Sequence, residues 1–141
     1  MAEFAGLMAA ERVTGTRTGN IEMFANTALG AINIAEQASL NRKSTEFMPL
    51  NQVINAYERK TGNPEIIAWG AALNTAVNTY AKAISGGAAA TVSDKDHARE
   101  ILDMAYSQGQ VKAAFDILRK EIQMERQAPG NVRQELRELS G

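Results

Sequence analysis

The chain has 141 residues, of which 45% are apolar and 22% are charged, and its net charge at pH 7 is −1. This length suits one domain with a modest core, and so small a net charge creates no overall field that would attract nucleic acid or an anionic membrane. The chain contains no cysteine, which excludes disulfides, thiolate metal sites and a cysteine nucleophile.

The first 19 residues are predicted to form an N-terminal arm that is either flexible or helical. Residues 2–13 can form a short helix, and the run TGTRTGN at residues 14–20 is typical of a flexible linker. The uncharged run at residues 4–10 is too short to span a bilayer, and no basic segment precedes it as in a signal peptide. Partner contact and weak membrane contact are the roles open to three apolar side chains on one side of the arm, Phe4, Leu7 and Met8.

Two long amphipathic helices are predicted to form the centre of the fold. The first follows Asn20 as its N-cap and covers residues 21–41, with apolar residues at three- and four-residue spacing. The second covers residues 64–84, with Asn63 as N-cap and proline at the first helical position. Neither helix can bury its apolar stripe alone, so the two are expected to pack near antiparallel at roughly 20° and about 8–10 Å. The stripe of the second helix consists of Ile66, Gly70, Leu73, Val77, Tyr80 and Ile84.

Shorter helices are predicted along the rest of the chain. One covers residues 50–60, between the two long helices. Two more, at residues 94–106 and 110–127, form a C-terminal helical hairpin, and Ser93 with Asp96 resembles the capping box that would open it. Residues 128–141 are predicted to be a tail with a short helix, in which Val132 and Leu136 are candidate partner contacts.

The fold class predicted from these patterns is all-α. No stretch alternates apolar and polar residues over more than four positions with β-branched content, and glycines fall mainly between helices. We expect a helical bundle domain at residues 20–127, made of two long antiparallel helices, a shorter helix between them and a C-terminal helical hairpin.

The only histidine, His97, is the first candidate for chemistry. Asp94, Asp96 and Glu100 lie close to it in sequence, so a metal site or an acid–base site is one interpretation. A zinc site with one histidine and no cysteine is uncommon, whereas carboxylates are favoured in the solvated first turn of a helix. We therefore predict a solvated helix start.

No other pattern points to catalysis or to a cofactor. Gly86 and Gly87 follow a helix and lack the Lys-Ser/Thr of a phosphate loop. Glu58 and Glu65 are carboxylates of the kind a glycosidase uses, but nothing in the sequence positions them as a pair. The sequence thus predicts no catalytic, cofactor-binding or metal-binding residue.

Two further features have a functional and a structural interpretation. Residues 94–127 resemble a helix-turn-helix in outline, but they carry six Lys/Arg against seven Asp/Glu, a net charge of −1, so specific nucleic-acid binding is not expected. Trp69, the only tryptophan, lies one step from the stripe of its helix. Core packing is its predicted role, and it is also a candidate partner contact.

Several longer motifs together resemble one group of proteins. The run NTAVNTYAKAISGGAAATVSDKDHAREILDMAYSQGQVKAAFDILRKEI and the ending QAPGNVRQELREL are similar to the C-terminal part of a group of bacteriophage and prophage proteins. The segments TGNIEMFANTALGAINIAEQAS and LNQVINAYERKTGNPEI resemble the preceding helices of that group, so the similarity covers residues 11–139. The resemblance implies a virion-associated or DNA-ejection role and carries over no catalytic residue. The chain is either a whole small protein or a domain of a longer one.

The resulting hypothesis is a non-enzymatic virion protein, internal or ejected with DNA, that is assembled in the host cytoplasm. Its partners would be other virion proteins and further copies of itself, because long apolar stripes with few large residues suit self-association. The alternative is a small helical regulator or inhibitor that binds a protein in the host cell. A cell-wall hydrolase is a third, less favoured hypothesis.

Overall fold

The computed structural model describes residues 2–86 and 91–127, with side chains from residue 20 onward. This part of the chain is helical and contains no strand, which confirms the all-α prediction. The helices are α1 (Ala2–Leu40), a 3-10 turn (Ser44–Glu46), α2 (Leu50–Glu58), α3 (Pro64–Ile84), α4 (Val92–Leu102) and α5 (Gln108–Gln127).

Helix α1 corrects the prediction for the N-terminal third of the chain. The predicted linker at residues 14–20 is helical, and Asn20 lies inside α1 instead of capping a second helix. Threonine and glycine cost only about 0.7–1 kcal/mol each in a helix interior, and no proline is present there to force a break. The composition of this run is therefore too weak a signal to end a helix that continues on both sides.

Helix α3 has the bounds that its sequence predicts. The side chain of Asn63 accepts a hydrogen bond from the Ile66 backbone N–H at 2.9 Å, and Pro64 occupies the first turn. Gly86, with φ +68°, lies just beyond the C-terminus, where a left-handed residue commonly ends a helix. The cap signals at both ends thus agree with each other and with the apolar stripe.

The start of α4 differs from its prediction by two residues. The capping box is formed by Thr91 and Asp94, not by Ser93 and Asp96: the Thr91 hydroxyl accepts from the Asp94 N–H at 3.1 Å, and the Asp94 carboxylate accepts from the Thr91 N–H at 3.4 Å. Both pairs have the spacing of a capping box, so spacing alone could not separate them. In the helix that begins after Thr91, Ala98 and Leu102 lie in the core.

Helix α3 lies at the centre and α1 crosses it in the opposite direction. Trp69 near the start of α3 bonds Ser39 near the end of α1, whereas Lys82 near the end of α3 lies over Phe24. Helix α5 also runs opposite to α1, since Arg119 reaches Glu36 and Arg126 reaches Glu22. The largest fully buried side chains include Tyr80, Phe115, Ile32, Leu50, Ile54, Leu73 and Ile84.

Helix α2 packs against α3 at a glycine. A Cβ atom on Gly70 would lie 2.5 Å from Cβ of Tyr57 and 2.6 Å from the backbone oxygen of Val53. Only a residue without a side chain allows the two helices to approach so closely. Gly70 therefore belongs to the buried stripe as predicted, and its role there is to let α2 reach α3.

Candidate functional site

A groove with no charged side chain runs between α1 and α3 on the surface of the bundle. Its volume is about 520 Å³, and its lining residues are Asn26, Thr27, Gly30, Ala31, Ile34, Ala71, Ala72, Thr75 and Thr79. We call this surface the α1–α3 face. It combines small residues along its floor with the large apolar side chain of Ile34.

The lack of charge on this face follows from where the charges of α1 and α3 lie. From residue 20 onward, the charged residues of α1 are Glu22 and Glu36. Both point towards α5, where they pair with Arg126 and Arg119 at 2.6 and 2.8 Å. Helix α3 has no charged residue between Glu65 and Lys82. The side of α1 away from α5 and the adjoining side of α3 therefore meet solvent without a charge.

Two large apolar side chains of α1 are exposed on or next to the α1–α3 face. Ile34 is 66% exposed and Met23 is 54% exposed. They are eleven residues apart, which is close to three helical turns, so they share one side of α1. Exposed single apolar residues are common, but Ile34 lines a groove that is itself uncharged, and Met23 lies on the same side of α1.

Gly30 lies on the same side of α1, between these two residues. A Cβ atom built on it meets nothing within 4 Å. A glycine in a helix interior costs about 1 kcal/mol relative to alanine, and at Gly70 the close approach of α2 explains that cost. No contact within the described part of this chain explains it at Gly30.

The groove adjoins a second hollow of about 580 Å³, which shares Ile34 and Ala72 with it and has charged residues in its lining. Arg42 lies there with its guanidinium 5.3 Å from the centre of the Trp69 ring, and it also contacts Glu65 at 3.4 Å and Glu46 at 3.6 Å. Beside this hollow, the α1–α3 face is thus bordered by a cluster of positively and negatively charged side chains.

A second cluster of polar side chains joins α3, α4 and α5. Nε2 of His97 lies 3.1 Å from both carboxylate oxygens of Glu121. The phenol of Tyr80 donates a hydrogen bond to the same carboxylate, and its ring stacks on the His97 ring with centres 6.4 Å apart. Glu121 thus accepts from two helices at once.

The electrostatics of this cluster follow from the shared carboxylate. The hydrogen bond to Glu121 raises the pKa of His97 above its ordinary value of 6.5, against the opposing effect of burial. Burial, and then the charge of Glu121, raise the pKa of Tyr80 far above 10, so the phenol stays protonated. Tyr80 and His97 both bond Glu121, and this arrangement connects three helices.

Of the predicted site residues, the structure describes the side chain of Trp69 only. Trp69 is 2% exposed and lies in the core, where its indole N–H donates to the Ser39 hydroxyl at 2.8 Å and its ring contacts Phe47. Core packing, the role predicted for Trp69, is thus what the structure shows. Phe4, Leu7 and Met8 are on the backbone of α1, but their side chains are outside the described part. Val132 and Leu136 lie outside the described residues altogether.

The prediction of a solvated first turn around His97 needs correction. His97 is half-buried and bonded to Glu121, and Asp94 is only 4% exposed because it forms the capping box. The partner of His97 is 24 residues away in sequence, so local spacing could not reveal it. In the described residues, no three His, Asp or Glu side chains come close enough to form a metal site.

The α1–α3 face was not predicted, although the sequence contains a signal for it. The uncharged interval between Glu65 and Lys82 is unusually long for a helix with one exposed side. Thr75 and Thr79 lie in that interval and line the groove. The sequence alone does not give the packing angle between α1 and α3, and this angle brings the uncharged side of α3 next to the uncharged side of α1.

Comparisons with known proteins give no relative for this chain: no family model, no curated protein and no solved structure matches it. Because none of these comparisons gives a match, the resemblance to bacteriophage proteins stays a prediction that rests on the motifs alone.

Within the residues that the structure describes, no helix has both the length and the apolar character needed to cross a membrane.

Proposed function

We propose that this protein is a non-enzymatic, virion-associated structural protein of a bacteriophage, which acts through contacts with other virion proteins and with copies of itself. The motifs at residues 74–122 and 127–139 supply the bacteriophage context. In that context the protein would be assembled in the host cytoplasm, carried in the virion, and either retained inside it or ejected with DNA.

The observation that carries the proposal is the α1–α3 face. A groove without charge, bordered by the exposed side chain of Ile34, is a surface that water solvates poorly. Apolar residues that border a groove on a helical protein are typical of protein–protein contact. The face is also rigid, because both of its helices are anchored to the same core by residues such as Ile32 and Leu73.

The polar clusters favour a structural role. His97 on α4 and Tyr80 on α3 both bond Glu121 on α5. Arg99 is likewise held between α2 and α4, where it donates to Asn55 at 2.7 Å while the Asn51 amide donates to the Arg99 carbonyl at 2.8 Å. These side chains stabilise the bundle, which leaves its outer faces for contacts with partners.

Mass spectrometry of purified particles tests this function. Virions of the phage that carries the gene are separated from cell debris on a density gradient and digested, and the copy number of each protein is measured. We expect peptides of this chain at a copy number similar to that of other minor virion proteins. Its absence from particles, together with its recovery in complex with a bacterial protein from infected cells, would support the host-cell regulator instead.

A further inference from the structure

We propose that α4 opens from the bundle as a unit while the other helices stay packed, and that protonation of His97 sets how often it opens. Opening would uncover the surface of α3 and α5 beneath α4, including the ring of Tyr80 that stacks on His97. This inference concerns the bundle itself and holds whether or not the protein is part of a virion.

Helix α4 has little apolar surface with which to hold itself in place. It has 11 residues, and a helix this short is marginal in water without packing. Regions with few buried apolar contacts open locally at a lower free energy than the core of a protein. The buried apolar side chains of α4 are Ala98, Ile101 and Leu102, whereas the 20-residue α5 buries Val111, Ala114, Phe115, Leu118 and Ile122.

Polar contacts hold α4 on two sides. On one side, Nε2 of His97 lies 3.1 Å from the carboxylate of Glu121 on α5, which also accepts a hydrogen bond from Tyr80 on α3. On the other side, Arg99 donates to the side-chain oxygen of Asn55 on α2 at 2.7 Å. Positions two residues apart do not share a face of a helix, so the two sets of contacts are separate.

His97 is the group in these contacts that changes its charge near neutral pH. Glu121 faces it from α5, and Asp94 and Glu100 lie close to it on α4 itself, so its charged surroundings are acidic. From α3 it meets Tyr80, whose phenol stays protonated because burial raises its pKa. A positive His97 attracts the carboxylate of Glu121, and a neutral His97 keeps only a weaker hydrogen bond to it.

The contacts on the α2 side do not respond to His97. Arg99 bonds the amide oxygens of Asn51 and Asn55, which do not titrate. The charged group that faces Arg99 from α2 is the carboxylate of Glu58, at 3.8 Å. Protonation of His97 therefore changes the attachment of α4 on one side alone.

The direction of the effect follows from the pKa of His97, which its contact with Glu121 raises above 6.5 in the closed form. In the open form the imidazole leaves Glu121, so the closed form binds the proton more tightly. The resulting stabilisation is fully present below about pH 6.5 and is lost as the pH rises through the pKa of the closed form. The fraction of molecules with α4 open should therefore rise by about three- to tenfold between about pH 5.5 and about pH 8.

Hydrogen exchange of backbone amides in the full chain, followed by mass spectrometry at the same two pH values, tests the proposal. Each rate is divided by the intrinsic rate of the unfolded sequence at that pH. Amides of α4 at residues 96–102 should exchange faster than those of α1 at residues 28–35 at both pH values. Equal corrected rates in the two helices would show that α4 opens only when the whole bundle unfolds, and would overturn the proposal.

Three variants assign the effect of pH to His97. His97→Gln keeps a donor for Glu121 but does not titrate, so the corrected rates of α4 should be the same at both pH values. Glu121→Gln should reduce the ratio of the two rates. Ile101→Val is the matched control, because it removes a buried methylene of α4 and should raise both rates while leaving their ratio as in the wild type. A wild-type ratio near one, or a ratio that survives His97→Gln, would overturn the role of His97.

Discussion

Gly30 and Gly70 lie in the interiors of neighbouring helices but meet opposite surroundings. The space beside Gly70 is filled by Tyr57 and the backbone of Val53, whereas no described residue lies within 4 Å of a Cβ atom built on Gly30. Identical substitutions at the two positions should therefore change stability in opposite directions, because one adds a clash and the other only removes the entropic cost of glycine.

Gly70→Ala is expected to lower the free energy of unfolding by about 2–3 kcal/mol, because α2 must move away from α3 to admit a methyl group. Gly30→Ala is its matched control and should raise the same quantity by about 0.5–1 kcal/mol. Urea unfolding followed by circular dichroism measures both values, at a concentration low enough to keep the chain monomeric. Equal effects at the two glycines would contradict the packing of α2 on α3.

His97 is the second residue whose surroundings set a measurable property. It is the only histidine of the chain, so its titration can be followed by NMR without overlap. Glu121→Gln removes the carboxylate that contributes most to the raised pKa of His97 and should lower that pKa, since only the weaker charge effects of Glu100 and Asp94 then oppose burial. A pKa unchanged by this substitution would show that Glu121 does not bond His97 in solution.

The same contact predicts how stability depends on pH. Because the pKa of His97 is higher in the folded protein than in the unfolded chain, its contribution is fully present below about pH 6.5 and is lost as the pH rises through the folded value. His97→Gln should therefore lower the free energy of unfolding by about 1–2 kcal/mol at about pH 6 and by less at about pH 9. Urea unfolding at the two pH values provides the comparison, and a loss that grows with pH would have the wrong sign.

At the scale of elements, α1 is held to the bundle differently on its two sides. Towards α3 the contact is a buried chain of hydrogen bonds, in which Trp69 donates to Ser39 and Ser39 donates to the carbonyl of Ala35. Towards α5 the contact includes the ion pairs of Arg119 and Arg126. Salt should weaken the α5 side more than the α3 side, because it screens ion pairs near the surface.

Arg119 is the residue that tests the α1–α5 contact. It bonds Glu36 at 2.8 Å and Asn33 at 2.8 Å on α1, and the carboxylate of Glu36 is only 12% exposed. Arg119→Met should lower the free energy of unfolding by about 1–2 kcal/mol at low salt, and by less at high salt.

The matched control is Lys112→Met. Lys112 shares the partner Asp116 with Arg119, but its side chain is 74% exposed and it reaches no other helix. Its effect should stay below about 0.5 kcal/mol. Similar losses for the two variants, measured by urea unfolding at two salt concentrations, would contradict a stabilising role for the pair between α1 and α5.

The elements also show how far the sequence alone could lead. Helix α3 was predicted with its observed bounds because cap, proline, stripe and terminal glycine all agreed. The prediction of a linker at residues 14–20 was wrong because it depended on composition alone. The capping box was predicted two residues too late because two pairs with the same spacing lie two residues apart. The bonds of His97 and Arg119 could not be predicted, since their partners lie 24 and 83 residues away in sequence.

At the scale of the whole molecule, the described part of the bundle separates two kinds of surface. Ion pairs and polar networks connect α1, α2, α4 and α5, through residues such as Arg99 and Arg126. The α1–α3 face has no charged lining residue. Among the described residues, the uncharged lining of this face favours the proposed contact with partners there.

An NMR dilution series tests most directly that this protein acts through the α1–α3 face. Amide resonances of the full chain are assigned and followed from millimolar to low micromolar concentration. The account predicts concentration-dependent shifts grouped at Met23, Gly30 and Ile34 of α1 and at Ala71 and Thr75 of α3, with little change in α4. Shifts confined to α4 and α5, or none over the whole range, would contradict it.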